Sequence, residues 1–402
     1  MRISTSQFQK ASINAILERQ VELSKVQNQL ATGKRVMSPS DDPVAATRVH
    51  NISGAIAKTN QYQSNASFVS NRLELQDSIL GEFVNNLQRI SELSIQANND
   101  HLTQLDRSTI AKEVQVRLDA LVSLGNTQDA NGEFIFAGGK VTTKPIAYNG
   151  TAYTYQGDDT TRSLEVGAGV FIQQTDAGSD VFFDIPNGSR TNGYLSDISP
   201  ANTGTGSINS VVVSNAAAIT KHKYQIDYNG ANFVVTDTTT GAGVATVPPA
   251  PGPGTTFTFD GLDVNINGAP AALDQFTLEP STSEDLYTTV KRLADAMNTP
   301  IATPADDVQV KNTLRKSIEQ MQNAVDHVLL VRAGIGGRLN STDSQGGINE
   351  DVIFNLEKVR SNLEDLDYAE ASSDLNLKLA GMQAAQQVYV KAQSLSLFNQ
   401  LS

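Results

Sequence analysis

Residues 52–97 read ISGAIAKTNQYQSNASFVSNRLELQDSILGEFVNNLQRISELSIQA. One heptad frame sets Ile52, Thr59, Ala66, Leu73, Leu80, Leu87 and Ser94 at one seam position. It sets Ala55, Tyr62, Val69, Gln76, Phe83, Ile90 and Ala97 at the other. Thr59, Gln76 and Ser94 alone break the apolar rule. A repeat this long, at a period of about 3.5 residues, requires a partner helix along its length. Ala55, Ala66 and Ala97 predict close helix approach along the seam.

Upstream, a first helix is predicted over about 6–32, with Ile16, Leu23 and Leu30 seven apart, Val26 at the alternate position and Gly33 as its stop. Asp42 is placed to cap the long helix, with Pro43 at its first position. Downstream, a third helix over about 105–124 carries Ile110, Val114, Leu118 and Leu121 on one face. The C-terminal third mirrors the N-terminal one. Leu314, Met321, Val328 and Ile335 are seven apart, interleaved with Ile318, Val325 and Leu339. Gly334-Ile335-Gly336-Gly337 reads as small residues for close helix contact. Further helices are predicted over about 349–366 and 374–402. The last has a wide apolar stripe, with Ala384, Val388, Leu395 and Phe398 on one side and Met382, Ala385, Tyr389 and Ala392 on the adjoining one. Such surface is sticky in a lone chain, and burying it against copies of the same chain builds rings or filaments.

Between the helical ends the composition turns to Gly, Thr, Val and Tyr. Asn-Gly pairs begin at Asn131, Asn149, Asn187, Asn192, Asn229 and Asn267, and predict tight hairpins with both central residues at positive φ. Phe134–Phe136, Tyr153–Tyr155, Val181–Phe183, Tyr224–Tyr228, Phe233–Val235, Phe257–Phe259 and Val264–Ile266 read as strands. The class is therefore α+β: a long coiled-coil-like helical bundle formed by both chain termini, with β-hairpins and an inserted all-β outer domain.

The chain has 402 residues, 30 Lys and Arg against 43 Asp and Glu, a net charge of −13, and neither Cys nor Trp. Such acidity opposes general nucleic-acid binding, and the absent thiols exclude disulfides and thiol chemistry. No apolar run reaches the about 18 residues of a membrane span. The start MRISTSQFQKAS lacks the apolar core of a secretory signal peptide. Residues 141–280 hold 5 Lys and Arg against 13 Asp and Glu, so the β middle carries −8 of the charge.

Sites for chemistry are sparse. His50, His101, His222 and His327 lack a second ligand one helical turn away, and no metal site is expected. Asp41-Asp42 reads as a helix cap and Asp158-Asp159 as a turn, in preference to an acid–base pair. Ala137-Gly138-Gly139-Lys140 is followed by Val141, not Ser or Thr, and fails as a phosphate loop. No catalytic residue and no cofactor is predicted.

The segment Leu30-Ala31-Thr32-Gly33-Lys34-Arg35-Val36, followed by Ser38-Pro39-Ser40-Asp41-Asp42-Pro43, resembles the N-terminal signature of the flagellin-like family. The run Met382–Leu401 resembles its C-terminus. Pro43 stands where ordinary flagellins usually have Ala, and Asp-Asp-Pro-Val-Ala-Ala is similar to the hook–filament junction branch. So are Asn131–Gly138, Tyr153–Asp158 followed by Val166–Val170, and Arg332–Asn340. In 261–276 a Gly commonly precedes the Asp of Asp274-Gln275-Phe276. Leu273 stands there instead, so a different turn is expected.

The resemblance implies three layers: terminal helices 1–40 plus 365–402 in an inner tube, a helical rod with hairpins from 41–194 plus 283–364, and an outer β domain 195–282. It implies a structural, non-enzymatic flagellar subunit that joins hook-associated protein 1 to flagellin and packs in a ring of its own copies. It further implies type III export without a cleaved signal, and a chaperone on the C-terminal helix. The assembly interface would use Ile16, Leu23, Leu30, Met382, Val388, Tyr389, Leu395 and Phe398. Rod packing would use Leu73, Leu80, Phe83, Leu87, Ile90, Leu314, Met321 and Val328. One alternative is a flagellin, against which the Asp41-Asp42-Pro43 form and the hairpin motifs argue. The other is a binding or enzymatic module in the β middle.

Overall fold

A computed structural model describes residues 5–249 and 254–401. Within its terminal helices the side chains of residues 5, 6, 8, 9 and 392–401 lie outside the description. The described helices are α1 (Thr5–Thr32), α2 (Pro43–Ala97), α3 (Gln104–Gly125), α4 (Leu286–Asn298), α5 (Pro304–Glu364) and α6 (Tyr368–Leu401). The helix expected over 349–366 is the continuation of α5, which runs unbroken through Gly334–Gly337. The chain divides into two compact units: residues 1–66, 166–168 and 344–402, and residues 67–165 and 169–343.

The second unit contains most of the core. Along α2 the seam residues Val69, Leu73, Leu80, Phe83, Leu87 and Ile90 are fully buried, as are Met321 and Val328 of α5. Asp77 of α2 accepts from Arg332 of α5 at 2.8 and 3.0 Å, tying the two long helices together. Ile110, Ala111, Val114, Leu118 and Leu121 make the inner face of α3. That helix begins on a capping box between Thr103 and Asp106. The polar seam residues find partners in place, apart from the Gln76 Oε1 acceptor. Thr59 and Ser94 hydroxyls donate one turn back, to the Ala55 and Ile90 carbonyls. Gln76 donates to Asp176 at 2.9 Å, and Asp176 also takes Arg338 at 2.5 Å. The frame slips at one place. Ala55 is exposed and Ile56 takes the buried position, so Ala55 mediates no close approach within the chain.

Two expected strands do not form. Val181–Phe183 lies in a π turn, Ser179–Phe183. Val181 and Phe182 are both fully buried, and a strand would send neighbouring side chains to opposite faces. The turn sends Phe182 against Phe83 (centroids 4.7 Å), Phe136 (5.0 Å) and Tyr287 (5.8 Å). Ile135, Phe136 and Ala137 are likewise buried in succession, and they form an irregular segment. The hairpin β1 (Ile146–Tyr148) with β2 (Tyr153–Tyr155) pairs Ile146 with Tyr155. It is followed by β3 (Ser163–Gly167), β4 (Val170–Gln173) and β5 (Ile185–Pro186).

The β domain follows as β6 (Tyr194–Ile198), β7 (Ser207–Val213), β8 (Tyr224–Tyr228), β9 (Phe233–Asp237), β10 (Gly243–Val247), β11 (Thr255–Phe259), β12 (Leu262–Asn267) and β13 (Gln275–Pro280). A short β14 (Ser283–Glu284) then pairs with β5. One antiparallel sheet has the order β10-β9-β8-β13-β6 and the other β11-β12-β7. Strict alternation sends Ile226, Val235, Phe276 and Leu278 from one sheet, and Phe257, Leu262, Val264 and Ile266 from the other, into a shared core. The edge strand β6 is covered by α5, where Asn312 and Lys316 reach Asp197 at 2.8 and 2.5 Å.

The Asn-Gly turns differ from expectation. Gly132, Gly150, Gly193, Gly230 and Gly268 take positive φ, but no Asn does. Three of the Asn carboxamides instead accept the backbone N–H two residues on: Asn149 from Thr151 (2.9 Å), Asn192 from Tyr194 (2.8 Å) and Asn229 from Ala231 (3.0 Å). These are Asx turns, wider than two-residue hairpins. Leu273 keeps a left-handed backbone, φ 78°, although it is not glycine. That conformation costs roughly 1–2 kcal/mol for an L side chain, and at 85% exposure Leu273 regains little of it by burial.

Candidate functional site

The functional surface expected from the sequence lies in the first unit, where α1 packs on α6. Lys378 of α6 reaches Glu22 of α1 at 3.8 Å, an antiparallel arrangement with the Gly33–Tyr368 approach. Leu23 and Val26 are buried on α1, and Ile16 and Leu30 are half-buried beside them. On α6, Ala371 is buried, and Met382, Ala385 and Tyr389 are half-buried at three- and four-residue spacing. Val388 is separated from them: it is 61% exposed on the adjoining face. Leu395 and Phe398 lie outside the described side chains.

A second apolar set on these helices escaped the heptad reading. Ile13, Leu17 and Val21 recur every four residues on α1, roughly 140° around from the Leu23 face at about 100° per residue, and Val21 is 70% exposed. Leu377, Leu379 and Val390 extend the exposed face of α6. The four-residue spacing was legible, but a search for sevens passes over it. The rod residues Leu73, Leu80, Phe83, Leu87, Ile90, Leu314, Met321 and Val328 are all buried. Gly334, Gly336 and Gly337 of α5 serve no close contact among the described residues. A Cβ built at Gly334, Gly336 or Gly337 meets nothing within 4 Å.

The loop between α1 and α2 is held by the family signature residues. Gly33 ends α1 with φ 71°, the left-handed backbone that favours glycine, and its Cα lies close to the Tyr368 hydroxyl, which a Cβ would approach to 2.8 Å. The Gly33 carbonyl accepts from Leu366 N–H (3.0 Å), and Arg35 N–H donates to the Glu364 carbonyl (2.7 Å). Lys34 pairs with the Glu364 carboxylate at 2.5 Å. Asp41 accepts from the N–H groups of Met37 and Ser38, and Lys25 pairs with it at 2.8 Å. The Lys25 contact and the Ser38 N–H lower its pKa to about 2. Asp42 accepts from Ala45 N–H at 2.9 Å, which holds its pKa down and caps α2. Both carboxylates are thus structural anions in a turn. Beside them Val36, Met37, Pro39, Ala46, Val49 and His50 line a cavity of about 340 Å³.

Among the described residues no group of three or more His, Cys, Asp or Glu is placed to hold a metal, and no helix is long and apolar enough to cross a membrane. The His222–Asp237 contact (2.7 Å) is built into a turn in which Asp237 also accepts from Thr239 and Thr240.

The comparisons with known proteins agree with this geometry. Residues 3–141 match the bacterial flagellin N-terminal helical region, and residues 198–280 match the D2-like domain of flagellar hook-associated protein 1. Flagellar hook-associated protein 3 of Escherichia coli K12 is 26% identical over 400 residues, 99% of each chain. The crystal structure of flagellar hook-associated protein 3 from Legionella pneumophila is 29% identical. It superposes with a TM-score of 0.73 over 78% of this chain and 98% of that one. A flagellin of Salmonella berta is 26% identical over 302 residues, which is 73% of this chain but 50% of the flagellin. Along its full length the chain is similar to flagellar hook-associated protein 3, and over residues 3–141 to the bacterial flagellin N-terminal helical region.

Proposed function

We propose that this chain is a structural subunit of the bacterial flagellum that joins hook to filament by packing helix faces against copies of itself and against unlike neighbours. The observation that carries this reading is the end-to-end match to hook-associated protein 3, against a match that spans half of a flagellin. The exposed apolar residues of α1 and α6 support it physically, because such surface is stable only when another chain covers it. Hook-associated protein 1 is the partner on the hook side and flagellin on the filament side. Residues 1–40 plus 365–402 form the inner layer, 41–194 plus 283–364 the rod, and 195–282 the outer, acidic domain. The subunit is not an enzyme. It leaves the cell unfolded by the flagellar type III route, with no cleaved signal, and a chaperone covers its C-terminal helix beforehand. The open Gly334–Gly337 face of α5 leaves room for a neighbouring helix.

Gold labelling of the protein on intact flagella, viewed by electron microscopy, tests the reading. A single band where hook meets filament is expected. Label along the whole filament would make the chain a flagellin instead.

A further inference from the structure

Where α5 runs past the edge of the β domain, a cavity of about 190 Å³ opens between α5, β7 and the 189–192 loop. Its walls are hydroxyls and amides, among them Ser189, Thr191, Asn209 and Ser210, with two charged groups, Arg315 and Glu319. These two stand one helical turn apart, the spacing at which opposite charges ordinarily pair. Here they do not pair. Arg315 uses Nη2 alone, donating to Ser196 Oγ (3.1 Å) and Asn312 Oδ1 (3.0 Å), both neutral acceptors. The nearby carboxylate of Asp197 is taken by Lys316 at 2.5 Å. Among the described residues neither Arg315 Nε and Nη1 nor the Glu319 carboxylate has a hydrogen-bond or ion-pair partner.

Both two-donor edges of a guanidinium include Nη2, which is taken here, so the free Nε–H and Nη1–H each offer a single charge-assisted donor to a carboxylate oxygen. Glu319 beside it would repel a simple anion and attract an ammonium group. The volume is small. It equals about six water molecules at roughly 30 Å³ each and falls below the about 300–1,000 Å³ of sites for drug-sized ligands.

We propose that this cavity is a binding site for a free α-amino acid, its carboxylate held by Arg315, its ammonium by Glu319 and its side chain among the surrounding hydroxyls and amides. Burial lowers the Arg315 pKa, and the more distant Glu319 and Asp197 offset that only in part. The cation is therefore under-compensated, and a bound carboxylate would complete it. None of its lining residues belongs to the terminal helices, and its occupancy does not depend on the junction role.

The test is titration of the full-length protein, by ligand-observed NMR, with glycine and L-serine as zwitterions, acetate as carboxylate alone and methylammonium as amine alone. Glycine and serine are expected to bind at least about tenfold more tightly than either half-ligand. Arg315→Gln should abolish binding of glycine, serine and acetate alike. Glu319→Gln should remove the preference for glycine over acetate while leaving acetate binding intact. Ser210→Leu, at an exposed strand position on the cavity wall, should block binding without touching either charge, and covers the case in which Arg315→Gln misfolds. The proposal is overturned if no zwitterion binds, if acetate binds as well as glycine, or if glycine binds the Ser210→Leu protein unchanged.

Discussion

The two units of this chain place their apolar residues differently. In the second unit Phe83, Phe136, Phe182 and Tyr287 close on one another, and the β sandwich interdigitates Ile226, Val235 and Phe276 with Leu262 and Val264. In the first unit α1 and α6 bury Leu23, Val26 and Ala371, while Ile13, Leu17, Val21, Leu377, Val388 and Val390 face outward. The second unit has a core of its own. Among the described residues the first leaves much of its apolar surface open, the surface that the proposed assembly would cover. A burial deficit of this kind marks an assembly element, because hydrophobic stabilisation follows the area removed from water, whichever chain removes it.

Three substitutions would break or sharpen that contrast. Phe83→Ala removes the ring at the centre of the aromatic cluster and should destabilise the second unit by about 3–5 kcal/mol, read as a lowered midpoint in chemical denaturation. A loss below about 1 kcal/mol would mean that the cluster is not the stabilising core. Asp42→Ala removes the cap of α2 and should cost about 0.5–2 kcal/mol, with hydrogen exchange rising at Ala45 and its neighbours and unchanged in the β domain. Equal rises in both places would show that the units melt together. Val388→Asp should change the stability of the isolated chain by no more than about 0.5 kcal/mol, because the side chain is already in water, yet should abolish incorporation into flagella. A motile strain carrying Val388→Asp would remove this face from the interface.

The cap loop adds a pH dependence confined to the first unit. The Asp41 pKa is about 2 in the folded chain against an ordinary 3.8. A depressed carboxylate stabilises the fold fully above its unfolded pKa, and the contribution fades as pH falls through the folded value. Between about pH 4 and pH 2 the Lys25–Asp41 contact should therefore weaken, which hydrogen exchange at Met37 and Ser38 reports.

The seam in 52–97 was readable because a helix repeats its environment every turn, so a long run of Leu, Phe and Ile at heptad spacing leaves one arrangement open. The terminators were readable for the same local reason: Gly33, Asp42 and Pro43 act through bonds to residues a few places away. Val181–Phe183 and Phe134–Phe136 were misread because β-branched and aromatic composition cannot distinguish a strand from a buried irregular turn. What decided them was the Phe83 and Tyr287 rings, distant in sequence, on which Phe182 packs.

The amino-acid order alone thus determined the helical ends, the β middle, the caps and the family signature, all of which rest on spacing and near-neighbour chemistry. Only the tertiary structure decided which apolar stripe of α1 and α6 is covered and which is open, that Ile56 replaces Ala55 in the seam, and that Gln76 donates to Asp176 beside Arg338. It alone brought Arg315 and Glu319 unpaired to one cavity wall. Those outcomes depend on which surfaces meet across long stretches of chain, and a periodic pattern shows that a face must be buried without naming what buries it.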